Sequence, residues 1–190
     1  MSKNNLLAKF DILFFYVAPI LLLSSTIARS TDDIENIKAG TTGGILLCFV
    51  MICFVFVLDR LCIYTSRYVP KASAILRILF ILGCFVGFCF GLDSVLLELT
   101  NNDYTFWTIK GVQIFAFMGI IWPLALISSG IVFLINKIFP SYLAFLVILC
   151  GVMFPAGRIP GIEILWYLAD LTFILTFWLL ARHLLKNNLE

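Results

Sequence analysis

Charge is scarce in this sequence. Only 13% of its 190 residues are Asp, Glu, Lys or Arg, whereas an ordinary soluble domain holds about 25%. A water-exposed globule needs such residues to cover its surface, so that class is excluded. Histidine is scarcer still, His183 being the only one, which removes metal and haem sites built on paired imidazoles. His-Glu-x-x-His, Gly-x-Ser-x-Gly and phosphate-cradling glycine loops are all missing, and with them the commonest signatures of hydrolases and nucleotide-binding proteins. None of the six cysteines, Cys48, Cys53, Cys62, Cys84, Cys89 and Cys150, stands in a Cys-x-x-Cys or Cys/His metal spacing. All lie in or at the ends of apolar stretches, where a free thiol packs as a small hydrophobe. The net charge of +2 is small and its basic residues border hydrophobic runs, so the chain carries no footprint for nucleic acid. Nothing calls for a cofactor.

What the sequence has in abundance is apolar side chain, 62% of the total. Six stretches stand out: Phe10 to Ala28, Gly43 to Cys62, Ile75 to Leu97, Ile109 to Ile135, Ser141 to Phe154 and Ile162 to Leu184. Most reach the roughly 17–25 residues that a helix needs to cross a bilayer. Without water at that depth every backbone group must be satisfied internally, and long apolar runs do this as helices. No period-2 alternation points to a barrel. The expected fold is therefore all-α, a single polytopic transmembrane bundle with six spans and the lipid bilayer as its first partner.

Three stretches need comment. The first follows Lys3 and Lys9 and ends in Ser24-Ser25-Thr26-Ile27-Ala28, a plausible signal-peptide cleavage point. Asp11 at its start weighs against cleavage, and it is read as the first span. The fourth is longer than a crossing requires, with Pro123 placed to kink it midway at Trp122-Pro123. The fifth has only 14 residues between Pro140 and Pro155 and is expected to be tilted, locally thinned around, or re-entrant.

Basic residues in short loops resist translocation and set orientation. With six spans, Lys3, Lys9, Arg60, Arg67, Lys71, Arg77, Lys137, Arg182 and Lys186 share the side of the N-terminus, and Arg29, Lys38, Lys110 and Arg158 lie opposite. Nine against four places both termini in the cytoplasm. A re-entrant fifth segment gives eight against five, a weaker bias. Tyr104, Trp107, Trp166 and Tyr167 fall near one interface and Tyr64, Tyr68 and Tyr142 near the other, as aromatic belts do. The run Arg60, Arg67, Lys71 and Arg77 bounds a cytoplasmic loop; it sets topology and has the composition to meet anionic headgroups.

Two groups of residues are candidate sites. Gly83, Gly87 and Gly91 form a Gly-x-x-x-Gly-x-x-x-Gly series that leaves one flat helix face, suited to close backbone approach within the bundle, at a dimer seam or beside a solute path. Ser94 and Glu98 continue that stripe toward the outer surface. Asp170 is the most informative single residue. Eight residues into its span at 1.5 Å each, it lies about 12 Å inside a hydrocarbon layer of roughly 30 Å. A carboxylate there is expected to be protonated, paired, or facing a hydrated cavity. Glu163 lies seven residues earlier on the same face, and Arg158 is the nearest basic residue in sequence. Asp170, Glu163 and Glu98 thus form a candidate intramembrane polar site, opposed by a structural reading in which Asp170 bonds a neighbouring helix through Ser128, Ser129 or a backbone carbonyl. An aspartyl dyad of Asp93 and Asp170 is disfavoured, because Asp93 falls near the outer end of its span and a dyad must share a proton at contact distance.

Phe139-Pro140-Ser141-Tyr142, then Leu149-Cys150-Gly151-Val152-Met153-Phe154-Pro155-Ala156-Gly157-Arg158-Ile159-Pro160-Gly161, then a helix with Ala169-Asp170-Leu171, resembles the C-terminal hairpin of small multi-pass bacterial membrane proteins of unknown function. The resemblance implies a bacterial inner membrane and no activity. The leading expectation is a non-enzymatic bundle, an accessory to another membrane protein or a homo-oligomer. The alternative is a small proton- or cation-linked transporter or channel using the acidic stripe.

Overall fold

The computed structural model describes residues 3–31, 40–100, 118–159 and 162–187, with side chains omitted at 3–11 and 187. Six α-helices account for nearly all of them: α1 (Lys3–Thr31), α2 (Thr41–Ser66), α3 (Pro70–Leu99), α4 (Ile121–Ile135, entered through the 3-10 turn Met118–Ile120), α5 (Ser141–Arg158) and α6 (Glu163–Asn187). All six, counting the turn with α4, are long and apolar enough to cross a bilayer. Tyr104, Trp107, Lys38, Lys110 and the first part of the fourth expected span lie outside the described residues.

Pro123 stands at the third position of α4, directly after the 3-10 turn Met118–Ile120, and the part of the expected span before Met118 lies outside the described residues. Proline placement corrects one expectation. Pro155 does not end the fifth span, because α5 continues through it to Arg158 as 18 helical residues, about 27 Å of rise. That length suits a crossing and leaves no need for a re-entrant loop. Near the helix end Pro155 costs only its bond to the carbonyl four residues back, and its own carbonyl accepts the Ile159 N–H at 2.9 Å.

The helices close into a ring. Each packs on its neighbours in sequence, and α6 returns to pack on α1. The pairs Phe15–Phe177, Tyr16–Trp178 and Ser30–Tyr167 run in opposite directions along these two helices, so α1 and α6 are antiparallel. One end of the bundle, here called proximal, holds the start of α1, the α2–α3 and α4–α5 turns and the end of α6. The distal end holds the others.

The ring is filled. Phe54 of α2 meets Trp122 of α4 edge-on at 5.4 Å and Phe173 and Phe177 of α6 at 5.9 and 5.3 Å. Trp122 stacks on Phe173 with ring planes 5° apart, and Phe154 of α5 closes against Trp122 at 4.9 Å. All but the Phe154 contact join helices that are not neighbours in the ring, so the aromatic side chains occupy its middle. Each such pair adds about 0.5–1.5 kcal/mol beyond area burial. Outside, Ile75, Ile78, Phe85, Phe145 and Ile164 are more than half exposed, which is the arrangement of a bundle whose solvent is hydrocarbon.

Small residues set the spacing. A Cβ on Gly91 would lie 2.6 Å from Cys48 Sγ and 2.7 Å from the Gly44 carbonyl oxygen, both on α2. One on Gly87 would meet Met51 Sδ of α2 at 2.6 Å, and one on Gly83 the Trp122 Cβ of α4 at 2.7 Å. The glycine face of α3 is thus occupied within the chain, by α2 along two thirds of its length and by α4 at Gly83. Gly130 and Gly151 do the same for α4 and α5, with virtual Cβ positions 2.7 Å from the Ala144 oxygen and 2.6 Å from the Pro123 oxygen.

Candidate functional site

The strongest polar cluster lies toward the distal end, where α1, α5 and α6 meet. Asp170 sits about two turns inside α6 and is fully buried. A carboxylate in hydrocarbon is costly unless paired and hydrogen-bonded, and here it is both. Arg158, the last residue of α5, reaches its Nη2 to Asp170 Oδ1 at 2.9 Å and Oδ2 at 3.2 Å. Thr26 of α1 donates its hydroxyl to Asp170 Oδ2 and accepts from Arg158 Nη2 at 2.7 Å. Three helices are therefore tied by one closed set of bonds.

Aromatic residues surround this clamp. Arg29 of α1 lies over the Trp166 ring of α6 at 4.1 Å, and Arg158 approaches the same ring at 6.0 Å and Phe154 at 5.6 Å. Guanidinium over an aromatic face is favourable, more so where water is depleted. One turn further toward the distal surface, Ser30 and Tyr167 share a hydrogen bond of 2.6 Å. Gly157 permits the close turn from α5 into α6, because a Cβ there would lie 2.8 Å from the Leu165 oxygen. That approach lets Arg158 fold back over the first turns of α6.

The other sequence candidates sit elsewhere. Glu98, at the end of α3, is exposed and accepts the backbone N–H of Thr41 at the start of α2. A carboxylate is favoured at such an N-terminus by the helix dipole. Glu163 is exposed in the first turn of α6, again at a helix N-terminus. Ser94 bonds the carbonyl of Phe90 in its own helix at 3.0 Å, and Asp93 is buried on α3. Glu98, Glu163 and Asp170 thus face separate surroundings, with no hydrogen bond linking any two of them. Arg158, the nearest basic residue in sequence, does meet Asp170, but the hydroxyl partner differs from those expected. Ser129 bonds Ala125 in its own helix at 2.8 Å and Ser128 is exposed, so neither reaches Asp170; Thr26 and Arg158 do.

Sequence reasoning gave Thr26, Arg29 and Ser30 no partner: Thr26 entered only through a cleavage-like run that was set aside, and Arg29 only through the count of basic residues. A hydroxyl run inside an apolar span is itself a signal, since such side chains find partners on neighbouring helices. Ser25 does so too, donating to the Gly43 oxygen of α2 at 2.9 Å. At the proximal end Asp59 of α2 pairs with Arg77 of α3 at 2.5 Å, which neutralises one of the four cations in the basic run. Among the described residues no group of three His, Cys, Asp or Glu is placed to hold a metal ion.

Comparison with known proteins returns no matching family model, no matching curated protein and no matching solved structure.

Proposed function

We propose that the chain is a non-enzymatic membrane protein that works as a packed helical unit, an accessory to another membrane protein or to a second copy of itself. The observation that carries this reading is the aromatic fill of the ring. Phe54, Trp122, Phe173 and Phe177 meet across its middle, where a conduit would need hydrated space. The acids support the same reading, because the Asp170 carboxylate is enclosed by Arg158 and Thr26 while Glu98 and Glu163 each sit at a separate helix end. Rigid association suits such a body better than alternating access, which requires one part of a bundle to rock against another around a central site. The bundle is assigned to a bacterial inner membrane on the resemblance of its C-terminal hairpin, and both termini to the cytoplasm on the basic residues gathered at the proximal end.

The test is flux. Purified chain reconstituted in vesicles is expected to pass protons, sodium and potassium no faster than protein-free vesicles. A flux above that level which Asp170→Asn abolishes would overturn the reading in favour of a proton- or cation-linked transporter. Reporter tags on the two ends are expected to read from the cytoplasm, and an outside signal from both would reverse the assigned orientation.

A further inference from the structure

We propose that the distal cluster holds a binding site for a phosphate group, formed by Arg158 and Trp166 with Arg29 beside them. Among the described residues, all the hydrogen bonds that Arg158 makes leave from Nη2, its Nη1 makes none, and its Nε is buried with no acceptor. The indole Nε1 of Trp166 is likewise buried without an acceptor, and the Arg158 guanidinium lies 6.0 Å from the centre of that same ring. Two neighbouring buried donors without acceptors are uncommon in a folded protein, where such groups find a partner in protein, water or ligand. A single group that offers several acceptor oxygens satisfies both.

The choice of phosphate follows from charge and position. Arg29, 4.1 Å above the indole, adds a second guanidinium on the residue that carries one of the unsatisfied donors. Charge-assisted N–H donors suit phosphate oxygens, and arginine is the usual side chain for that task. The Asp170 carboxylate leaves the Arg158 Nε and Nη1 donors unused, since both its oxygens bond Nη2. The Arg158 side chain keeps 17% of its surface exposed, which gives the approach. Arg158 ends α5 and Trp166 lies near the start of α6, so the site stands in the outermost turns of the bundle, within reach of lipid headgroups. The phosphate is carried there by a lipid or arrives as a free ion; the recognition chemistry is the same.

The experiment follows the unfolding temperature of the purified chain in detergent against three probes. Dioctanoyl phosphatidylglycerol is expected to raise it saturably, and dioctanoylglycerol, which has the same chains without phosphate, is expected to leave it unchanged. Trp166→Phe keeps the ring and removes the N–H, and Arg29→Gln removes the second guanidinium. Each is expected to raise the half-saturating concentration roughly tenfold, the loss of one charge-assisted hydrogen bond. Inorganic phosphate at constant ionic strength identifies the source: a saturable rise weakened by the same substitutions assigns the site to the free ion, and no rise assigns it to the lipid. The proposal is overturned if neither phosphate probe raises the temperature, if dioctanoylglycerol acts as strongly as phosphatidylglycerol, or if either folded variant saturates at the parental concentration. Should Trp166→Phe fail to fold, Arg29→Gln decides alone.

Discussion

Replacing Asp170 by leucine removes the carboxylate bonded to Arg158 and leaves the guanidinium facing Thr26 in a largely buried site. Breaking a buried ion pair from one side costs about 3–5 kcal/mol, mostly through the charge left behind. For a chain of 190 residues that corresponds to a fall in unfolding temperature of roughly 6–20 °C, at 2–4 °C per kcal/mol. Asp170→Asn is expected to cost less, because its amide oxygen still accepts from Nη2 and its size is conserved. The double change Asp170→Leu with Arg158→Met removes charge and counter-charge together and is expected to recover most of the loss, since buried pairs replaced by apolar residues are often neutral. Thermal unfolding of the parent, Asp170→Leu, Arg158→Met and the double variant in one detergent gives the cycle. If the double variant is as unstable as the sum of the two single ones, the clamp is not an ion pair in energetic terms and the reasoning fails.

Glycine substitutions are expected to separate by what they meet. Gly91→Ala drives a methyl against the Gly44 backbone oxygen and is expected to cost about 1–3 kcal/mol, while Gly87→Ala meets the flexible end of Met51 and is expected to cost clearly less; equal losses in thermal unfolding would contradict the packing described. Phe54→Ala, at the centre of the aromatic fill, is expected to cost about 3–5 kcal/mol, read by the same assay, and a loss below 1 kcal/mol would mean that the ring is not packed as described. Lys137 closes α4 in the left-handed region at φ 52°, with the Ile138 N–H on the Phe133 oxygen at 3.1 Å, the bonding of a Schellman cap. Lys137→Gly is expected to add roughly 0.5–1 kcal/mol, because the left-handed penalty of a side chain exceeds the extra chain entropy of glycine, and Lys137→Ala to leave stability unchanged.

The six helices were legible because hydrocarbon imposes a length and a composition that almost no other context does. Helix ends were less so. Pro155 reads as a stop in sequence, yet near a helix terminus it removes one bond of several already unpaired, and α5 runs on to Arg158. The close-packing role of Gly83, Gly87 and Gly91 followed from their spacing; that Gly83 meets a different helix from the other two did not, because spacing defines a face and not what covers it. Asp170 announced itself by its cost in lipid, and Arg158 by its nearness in sequence. Thr26 lies 144 positions from Asp170, a pairing that only the return of α6 to α1 creates. The aromatic fill was hidden by number. With 19 phenylalanines in the chain, nothing local separates Phe54 and Phe173, which face inward, from Phe85 and Phe145, which face lipid.

Because α6 comes back to α1 in antiparallel contact, the beginning of the first helix and the end of the last are neighbours at one end of the bundle. In such a ring the order of helices around the circle is independent of where the chain is cut. A short linker joining those two helix ends, with a new opening at the α4–α5 turn, gives a circular permutant that starts at α5 and ends at α4. Every helix keeps its direction across the bilayer and both of its neighbours, and the new ends emerge on the same side as the old ones. The same adjacency lets a rigid soluble protein be inserted across the two helix ends at two points of attachment, a handle of fixed orientation on the bundle.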